Sequence, residues 1–182
     1  MTELSDFTFS DLLEYNFVNL DQLTETYSVG FYGEYLTHWP EYQKVARHPN
    51  GLIMGYVLGK VEGEGEDWHG HVSAVTVAPT FRRLGVGEQL MELLERTSSS
   101  VHNAYFVDLF VRSCNTVAID MYRRLGYTVY RRVLGYYRAG GAFPNDEDAL
   151  DLRKAMPRDA SRKVSSVIPL TKPIQPHELE WH

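Results

Sequence analysis

Residues 82 to 87, Arg82-Arg83-Leu84-Gly85-Val86-Gly87, have the composition of a turn that holds a pyrophosphate. Glycines let a backbone approach an anion closely, and the first amide hydrogens of a following helix have no partner inside that helix. The helix dipole adds favourable potential at the same end, and Arg82 and Arg83 bring mobile positive charge to the rim. A bare Gly-x-Gly also occurs in ordinary loops. Here Val75-Thr76-Val77 reads as the end of a strand, Pro79 turns the chain, and an apolar helical stripe follows at Val86, Leu90, Leu93 and Leu94. Strand, turn and helix in that order favour anion binding.

The surrounding pattern is that of an α/β domain. Phe7-Thr8-Phe9 reads as a short strand, Ser10-Asp11 as a cap before Leu12, Leu13 and Tyr15, and Phe31 to Trp39 as a helix ended by Pro40. Gln43 to Arg47, Leu52 to Lys60 and His69 to Ala78 read as an antiparallel meander, with a tight turn at Pro49-Asn50-Gly51 and a polar connection over Glu62 to Asp67. A helix is expected from Val86 to Arg96, broken by Thr97 to Ser100. Tyr105 to Val111 is a near-continuous apolar run enclosing Asp108, as in a buried strand. Asn115 is placed to cap a helix that carries Tyr122 and ends at Gly126; Tyr127 to Val133 and Leu150 to Ala155 complete the strands. Residues 1–156 are expected to form the domain. Residues 157–182, with prolines at 157, 169, 173 and 176, read as an extended tail whose Val167, Ile168, Leu170 and Ile174 suit a neighbouring surface.

Composition narrows the function. Hydrophobic residues make up 43% of the 182 and charged residues 23%, enough to build a full core without staples. A net charge of −6 argues against a nucleic-acid coat protein, although arginines gather at 82–83, 123–124 and 131–132. One cysteine, Cys114, excludes an intramolecular disulfide, suits a reducing compartment and reads as a small packed residue. No signal-like N-terminus or membrane-length apolar run is present, so a cytoplasmic protein without membrane partners is expected. No metal-ligand motif stands out.

Val75 to Gly87 resembles the acetyl-CoA loop of the GNAT N-acetyltransferases, and Asn115, Ala118, Tyr122 and Gly126-Tyr127 resemble that family's later signature. Closer strings resemble the family of catalytic subunits of N-terminal acetyltransferase B (NatB). They are Leu23-Thr24-Glu25-Thr26-Tyr27, His38-Trp39-Pro40-Glu41-Tyr42, Trp68-His69-Gly70-His71-Val72, Phe106 to Arg112, and Asp146-Glu147-Asp148-Ala149 followed by Arg153-Lys154-Ala155. The resemblance implies a GNAT fold: a central mixed, mostly antiparallel sheet flanked by helices, with a splayed parallel strand pair holding acetyl-CoA. It implies cofactor contacts from Val75, Val77, Arg82, Arg83, Gly85, Val86, Gly87, Asn115 and Tyr122, with no metal.

The implied reaction moves acetyl to the α-amine of proteins that begin with Met followed by Asp, Glu, Asn or Gln. Tyr122 matches the family tyrosine near the CoA sulfur, with helix packing as its plainer role. Glu25, Tyr136 and Tyr137 are alternative bases, acting through water. For the substrate, His71 is the candidate reader of the second residue, Ser73 and Asn115 are helpers (Asn115 also a plain helix cap), and Glu25, Tyr27, Tyr136 and Tyr137 are expected to wall the entrance. Gly135 stands where relatives are expected to carry an acidic residue. A large helical auxiliary subunit is the implied partner, providing ribosome attachment, with nascent chains as substrates. An apolar face of Leu12, Leu13, Phe17, Val18 and Leu20 suits either that partner or the core. The alternatives are a GNAT enzyme acting on lysine or a small amine, and a non-catalytic CoA-binding subunit.

Overall fold

Strands and helices follow the periodicity closely. The computed structural model describes residues 2–19, 24–140, 144–163 and 168–180. The strands are β1 (Glu3–Asp6), β2 (Lys44–Arg47), β3 (Ile53–Glu62), β4 (His69–Val77), β5 (Phe106–Arg112), β6 (Thr128–Tyr137) and β7 (Glu147–Ala155); the helices are α1 (Val29–His38), α2 (Val86–Ser100) and α3 (Thr116–Arg124). By its contacts the chain forms two units, Met1–Val61 with Val72–His102, and Glu62–His71 with Asn103–His182. The boundary at His71–Val72 falls inside β4, so that strand contributes to both.

In the first unit the strand order is β1-β2-β3-β4, with β1, β2 and β3 antiparallel. The β2–β3 turn closes through the Gly51 amide on the His48 carbonyl at 2.8 Å, and Gly51 takes φ 91°, which favours glycine. The core is aromatic: Phe7, Tyr32 and Tyr56 are buried, with Phe7 and Tyr56 ring centroids 5.4 Å apart. Buried Gln43 satisfies its amide on Gly59, donating to its carbonyl at 2.8 Å and accepting from its N–H at 3.0 Å.

In the second unit the order is β4-β5-β7-β6. The opening residues of β4 run parallel to β5, and β7 pairs antiparallel with both β5 and β6. Phe106, Val107, Leu109, Ile119, Tyr122, Val133 and Leu152 are buried. This is the mixed, mostly antiparallel α/β sheet that the resemblance implies.

Three local expectations are corrected. The first strand is Glu3–Asp6, not Phe7-Thr8-Phe9, and the segment after it forms 3-10 turns over Phe9–Leu13 and Tyr15–Phe17 instead of an α-helix. The cap is Thr8, not Ser10: its N–H and hydroxyl both donate to Asp11, and the Asp11 carboxylate also holds Arg47. That ion pair draws Asp11 into a buried position and shortens the turn. The proposed apolar face consequently divides, with Val18 fully buried and Leu13 83% exposed; Leu20 lies outside the described residues, as do Leu23 and Val167. Finally, α2 does not break at Thr97. The hydroxyls of Ser98, Ser99 and Ser100 bond back to Leu94 and Arg96 carbonyls, and the buried Ser98 hydroxyl also pairs with that of Tyr42 at 3.1 Å.

Residues 170–174 lie along the outer edge of β6. The Leu134 amide donates to Ile174, the Ile174 amide to Arg132 and the Leu170 amide to Tyr130. Main-chain bonds make this contact, while Ile168 and Leu170 remain 73% and 46% exposed. It is anchored by Arg131, which bonds both the buried Asp151 (2.9 Å) and Glu180 (2.8 Å). A chain ending at Lys163 should lose about 2 kcal/mol of stability, the net of several main-chain bonds and a charged pair against the ordering of the segment. Urea unfolding would show it as a lower midpoint, whereas an unchanged midpoint would mean that the edge pairing contributes nothing.

Candidate active site

The Arg82-to-Gly87 turn lies in the first unit. β4 ends at Val77, the Ala78 amide donates to the Met54 carbonyl at 2.8 Å, and a 3-10 turn over Pro79–Phe81 leads into the arginines. Arg82 Nε donates back to the Val77 carbonyl at 3.2 Å, tying the turn to the strand end. Arg83 and Gly85 adopt φ of 63° and 77°. Gly85 takes this conformation freely; Arg83 does so at a cost of about 1 kcal/mol, the kind of local strain that collects at binding sites. Gly85 caps α2 without a side chain, so no side-chain group occupies the helix N-terminus, while Val86, Leu90, Met91 and Leu94 bury the stripe beneath it. The resulting feature is a helix N-terminus without a side-chain cap beside two exposed arginines, suited to a diphosphate. Behind β4, β3 approaches so closely at Gly55 that a Cβ there would stand 2.5 Å from the Thr76 carbonyl oxygen, so the last residues of β4 are fixed from the back.

The early loop is tied to the same strand. Thr24 and Thr76 hydroxyls lie 2.8 Å apart, and Tyr27 donates its hydroxyl to the Ser73 carbonyl at 2.9 Å. Tyr27 stacks on Phe31 at 4.2 Å, and the Ser73 hydroxyl is shared with Tyr35 at 2.8 Å. Glu25 is exposed on this loop.

The second unit assembles the remaining candidates. Alternation along β5 puts Phe106, Asp108, Phe110 and Arg112 on one face. His69 stacks on Phe106 at 4.6 Å, His71 Nδ1 bonds Asp108 at 2.8 Å and its ring lies 5.9 Å from Phe110. Phe110 stacks in turn on Tyr136 at 4.9 Å, and its carbonyl accepts from the Tyr137 hydroxyl at 3.1 Å. Arg112 stacks over the Tyr137 ring at 4.2 Å while bonding Glu147 at 3.2 Å. One ladder of side chains thus joins His71, Tyr136 and Tyr137. Gly135, at φ 58°, sits in the irregular stretch of β6 just before them and donates its N–H to Asp148 at 2.8 Å. Its conformation gives that position a reason to be glycine.

Asn115 caps α3 by accepting from the Ala118 amide at 3.2 Å. Tyr122 is buried on α3, and burial pushes its phenol well above the usual tyrosine range, so it stays protonated and suits the role of donor. Cys114 is exposed rather than packed, with its thiol 3.2 Å from Glu147, because it precedes the helix cap on the surface turn after β5.

Asp108, Phe110, Arg112 and Glu147 have no role in the sequence reading, though Asp108 carried a signal: a carboxylate inside an apolar run needs a partner. Burial alone would raise the Asp108 carboxyl. His71, His69 and Arg153 outweigh burial and hold it below the usual carboxylate range. Burial likewise would lower the His69 imidazole, but Asp108, Glu62 and the Asp67 carbonyl raise it. Glu62, His69 and His71 have ligand-type atoms within 4.8 Å of one another, the one such group among the described residues. The 2.8 Å His71–Asp108 contact is a hydrogen bond, so the cluster reads as an ion-pair network.

Because the folded-state value of His69 is raised, its stabilisation is present in full below the ordinary histidine value of about 6.5 and is lost as pH rises through the folded-state value. Thermal melts of the wild type and His69→Gln from pH 5.5 to 8.5 should therefore show a wild-type advantage that shrinks as pH rises. A gap that widens with pH would contradict this.

Residues 9–127 match the model of the acetyltransferase (GNAT) family. Over the full length of both chains, the sequence is 63% identical to a Leishmania donovani protein named N-terminal acetyltransferase complex ARD1 subunit homolog. It is 54% identical to the Arabidopsis thaliana N-terminal acetyltransferase B complex catalytic subunit NAA20, covering 100% of this chain and 99% of that one. The crystal structure of Chaetomium thermophilum Naa20 with a bisubstrate analogue superposes with a TM-score of 0.89 at 40% identity, covering 96% and 97% of the two chains. The chain belongs to the GNAT acetyltransferases and, among them, to the family of NatB-type N-terminal acetyltransferase catalytic subunits.

Proposed function

We propose that this chain transfers acetyl from acetyl-CoA to the α-amine of proteins beginning with Met followed by Asp, Glu, Asn or Gln. The observation that carries the substrate reading is His71: a ring nitrogen bonded to a buried carboxylate, on a strand that also ends at the donor turn. An imidazole in that setting offers a polar contact to the short side chain of a second residue. Relatives named as catalytic subunits of the N-terminal acetyltransferase B complex support N-terminal acetylation as the reaction.

In this reading the diphosphate of CoA sits on the amides of Gly85, Val86 and Gly87 with Arg82 and Arg83 at its rim, and Asn115 lies near the cofactor. The pantetheine arm pairs with the main chain of Val75 and Val77 as an added strand. The thioester carbonyl accepts from the amide at or near Val77, which stabilises the developing oxyanion. The neutral amine attacks that carbonyl directly, so no enzyme-bound acetyl forms. The C–N bond forms, the C–S bond breaks, and the departing thiolate takes a proton from the hydroxyl of Tyr122. The proton lost by the amine leaves through water to Glu25, Tyr136 or Tyr137. The family resemblance gives Glu25, Tyr27, Tyr136 and Tyr137 the task of admitting a chain terminus, with Ser73 assisting His71.

The chain acts as the catalytic subunit beside a large helical auxiliary subunit, as the bisubstrate-bound NatB complex structure suggests for its own chains. Exposed Leu13, Phe9 and Phe17 near the N-terminus offer that partner an apolar contact, and the partner provides attachment to ribosomes in the cytoplasm. No helix among the described residues is long and apolar enough to cross a membrane.

Co-expression with the auxiliary subunit and a peptide panel tests this. Met-Asp peptides should outperform both Ser-Ala peptides and Nα-blocked lysine peptides. A preference for the blocked lysine peptide would mark a lysine acetyltransferase, and CoA binding without transfer would mark a non-catalytic subunit. Tyr122→Phe should lower kcat by about 10²-fold with little change in KM; unchanged kcat would remove Tyr122 from the mechanism.

A further inference from the structure

Asp108 belongs to a row of buried charges, and that row ends in the C-terminal tail. Asp108 of β5 faces Arg153 of β7 in register, and Asp151 of β7 faces Arg131 of β6. Facing residues of antiparallel strands share a side of the sheet, as do Asp151 and Arg153, two positions apart on one strand. The four side chains therefore lie on one face, and each of these residues is 3% exposed or less.

Carboxylate and guanidinium alternate along the row. At one end His71 Nδ1 bonds Asp108 at 2.8 Å. Arg153 comes next, bonded to Asp151 through Nε at 3.2 Å and a terminal nitrogen at 3.1 Å, with its guanidinium 3.8 Å over the Tyr130 ring. Arg131 gives its Nε to the same Asp151 at 2.9 Å and its two terminal nitrogens to the Glu180 carboxylate, at 2.8 and 2.5 Å. The edge pairing of residues 170–174 on β6 delivers Glu180 to this place. Every member of the row, from His71 to Glu180, belongs to the second unit.

Two buried guanidinium groups thus share one carboxylate, and Asp151 Oδ2 accepts from both. A guanidinium stays charged and has five donors to place. Glu180 satisfies the terminal nitrogens of Arg131. Without it, a buried Arg131 short of acceptors would draw Asp151 toward β6 and away from Arg153. Arg153 would then turn to Asp108, the next carboxylate in the row and the one that orients His71.

We propose that Glu180 is a positioning residue for substrate selection: by occupying the terminal nitrogens of Arg131 it keeps Asp151 on Arg153 and leaves Asp108 to His71, so the docked tail becomes part of the apparatus that reads the second residue of the substrate. This inference rests on the reading of His71 given above. The coupling acts on the position of the His71 ring, through side chains already in contact or in register.

The test is the ratio of kcat/KM for a Met-Asp peptide to that for a Met-Ala peptide, measured with the chain in complex with its auxiliary subunit. The ratio cancels any loss of folded enzyme, which lowers both values alike. Glu180 has a half-exposed side chain on the tail, so Glu180→Gln leaves the core packing intact. That variant should lower the ratio about threefold, and a chain ending at Lys163, which removes the same carboxylate, should lower it at least as much. In a His71→Ala background Glu180→Gln should change the ratio no further, because both act through one ring. A ratio unchanged by Glu180→Gln, with His71→Ala still lowering it, would overturn the role of Glu180 and spare the reading of His71. A further fall in the double variant would also overturn it, since the effect would then bypass His71. A ratio unchanged in His71→Ala would overturn both.

Discussion

An ionised carboxylate buried in an apolar strand is the constraint on which the second unit depends. Asp108 stands in β5 between Val107 and Leu109, both 1% exposed or less. A bare charge there is untenable, and neutral packing would need no companions. The companions are present on both neighbouring strands: His69 and His71 on β4, and Arg153 directly across on β7. The requirement to compensate one charge thereby selects residues on three strands and leaves one imidazole pinned by one nitrogen with the other to spare. Phe106, on the same face of β5, stacks on the His69 ring, and Phe110 meets the His71 ring at a tilt.

The Arg82-to-Gly87 turn rests on backbone conformation instead of charge. Two left-handed residues, Arg83 and Gly85, turn the chain into α2 with no side-chain cap at its N-terminus. A close approach at Gly55 leaves the end of β4 little room to shift. Strand β4 carries His71 near its start and Val75 and Val77 near its end, so in the proposed reading one nine-residue strand serves both substrate selection and donor binding. This economy suits a direct-transfer enzyme, in which nothing is stored on the protein between binding and reaction.

Much of this was legible in the residue order. Alternation and helical period locate β2 to β5 and α1 to α3, because their apolar faces are regular and their caps, Asn115 among them, are strong. The N-terminal turns were not legible: Asp11 serves Thr8 and Arg47 at once, and the Arg47 contact is remote in sequence. Thr97 to Ser100 reads as a breaker, yet each serine hydroxyl after it returns to a helix carbonyl, and buried Ser98 gains Tyr42 as well. Within the site, motif spacing marks the donor turn, and the family resemblance marks Tyr122 and His71. It does not mark Arg112 beneath Tyr137, since a guanidinium stacked on a ring leaves no periodic trace. Asp108 was visible as an anomaly in an apolar run, but its partners lie 37 residues or more from it in sequence on β4 and β7. The tail was read as extended, and its edge pairing follows from main-chain donors that no side-chain pattern announces.

The most direct test of the central claim is the ratio of kcat/KM for a Met-Asp peptide to that for a Met-Ala peptide, measured for the wild type and His71→Ala in complex with the auxiliary subunit. A ratio about tenfold lower in the variant is the predicted result. A ratio unchanged in His71→Ala would contradict the account.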